Sequence, residues 1–124
     1  MKMDAITRLA AGAILAAIAV TPAAAADSGH GQQLFKACAA CHGADGHGGT
    51  LGPSLVGVVG RKAGSLGDFR YSPAMQRSGV VWDDGTLRDY VTDPQAKIKG
   101  NRMPFSGLAP KDADDVVAYL KTLR

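Results

Sequence analysis

The sequence predicts one all-α domain in which a few short helices are joined by long ordered loops. Three features predict it. The last segment carries Ala113, Val116, Val117 and Leu120 at i, i+3, i+4 and i+7, which gives a helix one apolar face. Residues 43–67 contain nine glycines, a density of breakers that reads as loop. No stretch alternates apolar and polar residues in the manner of a half-buried strand, and Val56-Gly57-Val58-Val59 is apolar but sits among glycines. A loop of that length is uncommon in a compact domain unless it packs on something functional.

The elements follow in chain order. A first helix is expected from near Ser28 to about Ala39, with Leu34, Phe35 and Cys38 on one side. The glycine-rich loop comes next, then a short helix within Tyr71 to Ser78. Asp83 or Asp84 can cap a helix carrying Leu87, Tyr90 and Val91. Asp93-Pro94 is a cap followed by proline at the first helical position, which starts a short helix ending at Gly100. A loop from Gly100 to Pro110 leads into the last helix, about Lys111 to Leu123. No repeat or low-complexity stretch follows residue 26.

Residues 1–26 read as a segment outside this fold. Lys2 and Arg8 precede an unbroken run of apolar residues and glycine, Leu9 to Val20. Thr21-Pro22 break it, and Ala24-Ala25-Ala26 supplies small residues before Asp27. This is the layout of a secretory signal peptide cleaved after Ala26. The run is shorter than the ~20 residues a spanning helix needs. The expected mature chain, 27–124, is one domain of 98 residues located in the periplasm and not spanning the membrane. It keeps 12 basic and 10 acidic residues, a net charge of +2. That excess is too small, and too little clustered, for nucleic-acid binding. The two cysteines are only three positions apart, so a disulfide between them would remove little chain entropy. A chain this short therefore points to a bound group that fills its core.

Cys38-Ala39-Ala40-Cys41-His42 identifies that group. The spacing is that of covalent c-type haem attachment. On one helical turn, cysteines at i and i+3 face the same way and reach two vinyl groups on one porphyrin edge. The adjacent histidine then lies under the ring as an iron ligand. Three other uses of the motif are weaker. A redox dithiol belongs in a βαβ setting that this chain lacks. Zinc would have to crowd its ligands onto neighbours, with His47 as the fourth. A structural disulfide has no need of the histidine.

A sixth iron ligand must come from elsewhere. Beyond the leader only Met75 and Met103 offer a thioether. Met103 stands in Asn101-Arg102-Met103-Pro104-Phe105-Ser106-Gly107, a polar loop between two helices that has no apolar stripe to join. Pro104 stiffens the backbone beside it. Met103 is favoured over Met75. His47 is a poor rival, because it is five residues from His42 and would have to reach the other face of the ring.

Across 29–124 these residues resemble the class I c-type cytochromes, the group holding mitochondrial cytochrome c and its small soluble bacterial relatives. The resemblance implies the cytochrome c fold, a few helices and long loops wrapped around one covalent haem c. It also implies roles. Gly31 and Phe35 match a helix-packing pair, with Tyr119 on the terminal helix that crosses near Gly31. Gly52-Pro53 matches the haem-flanking proline, whose carbonyl accepts a bond from the His42 imidazole. Arg61, with Lys62 beside it, Tyr71 and Trp82 match residues around the haem propionates. Guanidinium, phenol and indole supply the donors that buried carboxylates need. Tyr90 matches the tyrosine behind the axial methionine, and Phe105 an aromatic beside the exposed haem edge. Two positions depart from the mitochondrial pattern. Met75 replaces an asparagine and Asn101 a threonine, both in a polar network near the axial methionine.

The resemblance implies an electron carrier and no enzyme activity. An iron held by His42 and Met103 has no open position for substrate. The partners it implies are redox proteins, namely a bc-type complex, a terminal oxidase, a photosynthetic reaction centre or a periplasmic dehydrogenase, met by a monomer. Lys36, Lys62, Lys97, Lys99, Arg102 and Lys111 are expected to ring the haem edge and steer docking. His30 and His47 are expected to face solvent. A catalytic or gas-sensing haem protein would instead need a vacant sixth site.

Overall fold

The computed structural model describes residues 9–20 and 25–124. The remainder of the expected signal peptide, residues 1–8 and 21–24, lies outside the described residues. Residues 9–20 form no regular structure, and Leu9, Ile14, Leu15, Ile18 and Val20 are exposed rather than part of the core.

Five helices make up the domain: α1 Ser28–His42, α2 Pro73–Arg77, α3 Asp84–Thr92, α4 Pro94–Lys97 and α5 Pro110–Leu120. Among the described residues there is no strand, only an isolated antiparallel bridge between Lys62 and Val81. No helix of the described residues is long and apolar enough to cross a membrane. The all-α expectation holds, with boundaries shifted. α1 runs three residues past Ala39, through the whole Cys-x-x-Cys-His motif, and stops at Gly43 with φ at 85°. α4 ends at Lys97 rather than Gly100, and α5 begins at Pro110, a proline suited to a first helical position.

The caps explain where the helices begin. The Asp27 carboxylate accepts from the His30 amide and starts α1. Asp83, not Asp84, starts α3, through a capping box with Thr86. The Asp93 carboxylate accepts from the Ala96 amide and starts α4. α5 starts one residue before the expected Lys111, where Ala109 caps it without any side-chain bond.

α1 and α5 cross closely. Gly31 is buried at the crossing, and a Cβ there would overlap the Asp115 carbonyl oxygen. The Phe35 and Tyr119 rings meet one step further along, 5.1 Å between centroids. Phe35, Val116 and Leu120 from these helices join Leu87 and Tyr90 of α3 and Trp82 before it in one core cluster. The long loop is tied at residues 60–63 to the segment that leads into α3. Gly60 N–H donates to the Trp82 carbonyl at 2.6 Å, and Ala63 N–H to the Val80 carbonyl at 2.8 Å.

Candidate functional site

The core is not filled by side chains alone. A cavity of about 340 Å³ opens between α1, the glycine-rich loop, α3 and the segment after α4. Most of its lining is apolar, including Phe35, Leu55, Val58, Leu87 and Leu120. Cys38, Cys41 and His42 all reach it. Their convergence follows from α1 remaining helical through the motif, which puts both thiols and the imidazole on its inner side. No disulfide joins the two cysteines.

His42 is buried, and its Nδ1–H donates to the Pro53 carbonyl at 2.8 Å. This is the partner that the resemblance implied. It fixes the ring and leaves Nε2 as the metal-binding nitrogen. Gly52 makes room for the approach, because a Cβ there would press on the Cys41 carbonyl and on His42 Nδ1, at 2.9 and 3.0 Å. Burial pushes the His42 pKa down, the Pro53 bond opposes that, and the Arg61 charge adds to the lowering. The outcome is a neutral imidazole, the form that ligates iron. Burial pushes the Cys38 thiol pKa up, with a smaller push from Cys41. That is the opposite of the lowering that activates a redox cysteine.

The other expected site residues gather on the same cavity: Pro53, Arg61, Tyr71, Trp82, Tyr90, Met103 and Phe105. Tyr71, Trp82 and Tyr90 are buried, with the Trp82 and Tyr90 rings 5.1 Å apart. Burial pushes the Tyr90 phenol up to about 12, so it stays protonated. Arg61 is half-buried and held by main-chain carbonyls, Nη2 to Ser54 at 2.5 Å and Nη1 to Val56 at 3.4 Å. Met75 also lines the cavity, from α2, where its amide is bonded to the Ser72 hydroxyl. Asn101 is turned away. Its side chain bonds to the main chain of α4 and of Met103 instead of entering the cavity.

The expected basic ring needs correction at two members. Lys97 pairs with Asp89 at 3.4 Å, and Lys111 with the buried carboxylate of Asp115 at 2.6 Å. Lys111 lines a separate pocket beside α5, together with Asp114 and Lys121. Lys36, Lys62, Lys99 and Arg102 are exposed. His47 is exposed as expected and pairs with Asp45, whereas His30 is not simply solvent-facing, because its Nδ1 bonds to Asp115 at 2.8 Å. Asp115 itself had no assigned role. Its mark in the sequence is the i, i+4 spacing of Lys111 and Asp115.

These residues fit a c-type haem. Two thiols sit one helical turn apart, an oriented imidazole follows them, the cavity is apolar, and phenol, indole and guanidinium donors stand at its wall.

The comparisons with known proteins agree. The cytochrome c family profile matches residues 28–124. Cytochrome c2 of Blastochloris viridis is 40% identical over 116 residues, covering 92% of this chain and 91% of its own. Cytochrome c2 iso-2 of Magnetospirillum fulvum is 48% identical over 90 residues, covering 72% of this chain and 94% of its own. Among solved structures, cytochrome cH from Methylobacterium extorquens superposes with a TM-score of 0.72 at 41% identity, covering 77% of this chain and 98% of that one. With a Cys38-x-x-Cys41-His42 attachment motif on such a cavity and relatives of this kind, the chain belongs to the cytochrome c family, as an electron carrier with one covalent haem c and not an enzyme.

Proposed function

We propose that the chain, cleaved after Ala26, carries single electrons through the periplasm on a six-coordinate haem ligated by His42 and Met103. The observation that carries this reading is that Met103 lines the same cavity as His42, whose Nδ1 is already committed to Pro53. The haem supplies a one-electron couple. The protein's part is to hold two ligands in one geometry in both oxidation states, exclude water and substrate, and leave an edge within reach of partners. Arg61, Tyr71 and Trp82 partner the haem carboxylates, and Tyr90 and Phe105 pack near the axial methionine. Export is supported by the charged start, apolar run and small-residue end of residues 1–26, and by a family match that begins at Ser28. The partners are redox proteins such as a bc-type complex, a terminal oxidase, a reaction centre or a periplasmic dehydrogenase, and the carrier meets them as a monomer.

The Met103→Ala variant tests the ligand. It should lose the thioether-to-iron charge-transfer band of the ferric protein and lower the reduction potential. An unchanged spectrum would remove Met103 from the iron.

A further inference from the structure

The segment that brings Met103 to the cavity is anchored at its two ends and little between them. At its exit, Leu108 N–H donates to the Val91 carbonyl at 2.8 Å. Gly107 there has φ at 115° and packs so close to Thr92 that a Cβ would overlap the Thr92 carbonyl oxygen. At its entry two carboxamides do the work. Gln95 donates from Nε2 to the Asn101 carbonyl at 2.9 Å and accepts the Gly100 N–H at 3.1 Å. Asn101 is 6% exposed and uses both ends of its amide. Its Nδ2 donates to the Pro94 and Ile98 carbonyls, each at 2.9 Å, and its Oδ1 accepts the Met103 N–H at 2.9 Å. Among the described residues, this last bond is the one hydrogen bond joining residues 102–107 to anything outside them. Pro104 and Ser106 are exposed.

We propose that Asn101 is a positioning residue for Met103: its carboxamide clamps the methionine backbone to the end of α4 and thereby sets how rarely the thioether leaves the iron. The proposal rests on Met103 being the axial ligand. Only a carboxamide offers two donors and an acceptor from one planar group. A serine or threonine at this position keeps one donor, and alanine keeps none. Alanine leaves the Met103 amide without its partner and takes the second donor from the Pro94 and Ile98 carbonyls, which keep only the Ile98 and Asn101 N–H. The axial bond and the Asn101 clamp then fail together, so weakening one exposes the other.

The test uses the holoprotein and imidazole as an incoming ligand for the ferric iron, which must wait for Met103 to leave. Asn101→Ala should take up imidazole about tenfold faster than wild type, since one such hydrogen bond is worth about one decade. Asn101→Ser, which keeps one donor and the acceptor, should fall between them, and carries the same test if the alanine variant does not mature. Amide hydrogen exchange supplies the second readout. The Met103 amide should exchange faster in the variant, while the Phe35 and Leu120 amides keep wild-type protection. Wild-type imidazole kinetics in both variants overturn the proposal. So does equal acceleration at Phe35 and Leu120, which would make Asn101 a contributor to stability at large. Absence of the thioether-to-iron band in the wild-type protein would instead overturn the ligand reading itself.

Discussion

His42 is positioned by one bond, and that bond ends on a main-chain atom. The imidazole needs the Pro53 carbonyl and not the pyrrolidine ring, which stiffens the loop without touching Nδ1. Pro53→Ala should therefore keep the axial spectrum of the native protein. It should lower stability by about 1 kcal/mol through a more flexible unfolded chain, read from denaturant unfolding. A changed spectrum would mean that the ring, rather than the carbonyl, orients His42. The same scale shows what a sequence discloses. Cys38, Cys41 and His42 are neighbours on one helix, so their joint chemistry is legible in five letters. Asn101 was legible only as a departure from a threonine. Its role depends on which carbonyls α4 presents to it, and on their finding both Nδ2 protons.

At the scale of elements, the crossing of α1 and α5 is held by a shared carboxylate as well as by apolar packing. Asp115 accepts the Asp27 N–H at 2.8 Å, Lys111 Nζ at 2.6 Å and His30 Nδ1 at 2.8 Å. The Asp27 backbone N–H first, then Lys111 and His30, hold its carboxyl well below the usual carboxylate range. The bond to Asp115 raises the His30 pKa above the ordinary 6.5, with Asp112 and Asp27 adding to the effect. A raised histidine contributes stability that is fully present below its unfolded pKa and is lost as pH rises through the folded one. Thermal unfolding of wild type and His30→Gln should accordingly differ more at about pH 5.5 than at about pH 8.5. A gap of equal size at both would show that the imidazolium charge adds nothing. The crossing was expected from Gly31 and Tyr119, but its carboxylate was not. The Asp27 and Asp115 partners lie 88 positions apart, and only folding brings them together. Helix starts were easier to read where an Asp side chain caps them, as at Asp83 and Asp93, than at Ala109, where none does.

At the scale of the molecule, a small net positive charge is unevenly spent. Lys97 and Lys111 are neutralised locally, while Lys36, Lys62, Lys99 and Arg102 remain exposed, and Arg102 also lines the cavity. Reaction with an acidic redox partner should slow as ionic strength rises, and Arg102→Glu should slow it further at low salt than Lys111→Glu does. Stopped-flow oxidation at two salt concentrations reads both effects, and equal slowing by the two variants would contradict this uneven distribution. The architecture was legible because its signals are local: caps, glycines and one motif. The cavity was legible only by inference from a core too poor in side chains. The central claim is that His42 and Met103 close the iron to outside ligands and leave it only an electron to exchange. Exposure of the ferrous protein to carbon monoxide at neutral pH tests this most directly. The account predicts an absorption spectrum that does not change, and tight carbon monoxide binding would contradict it.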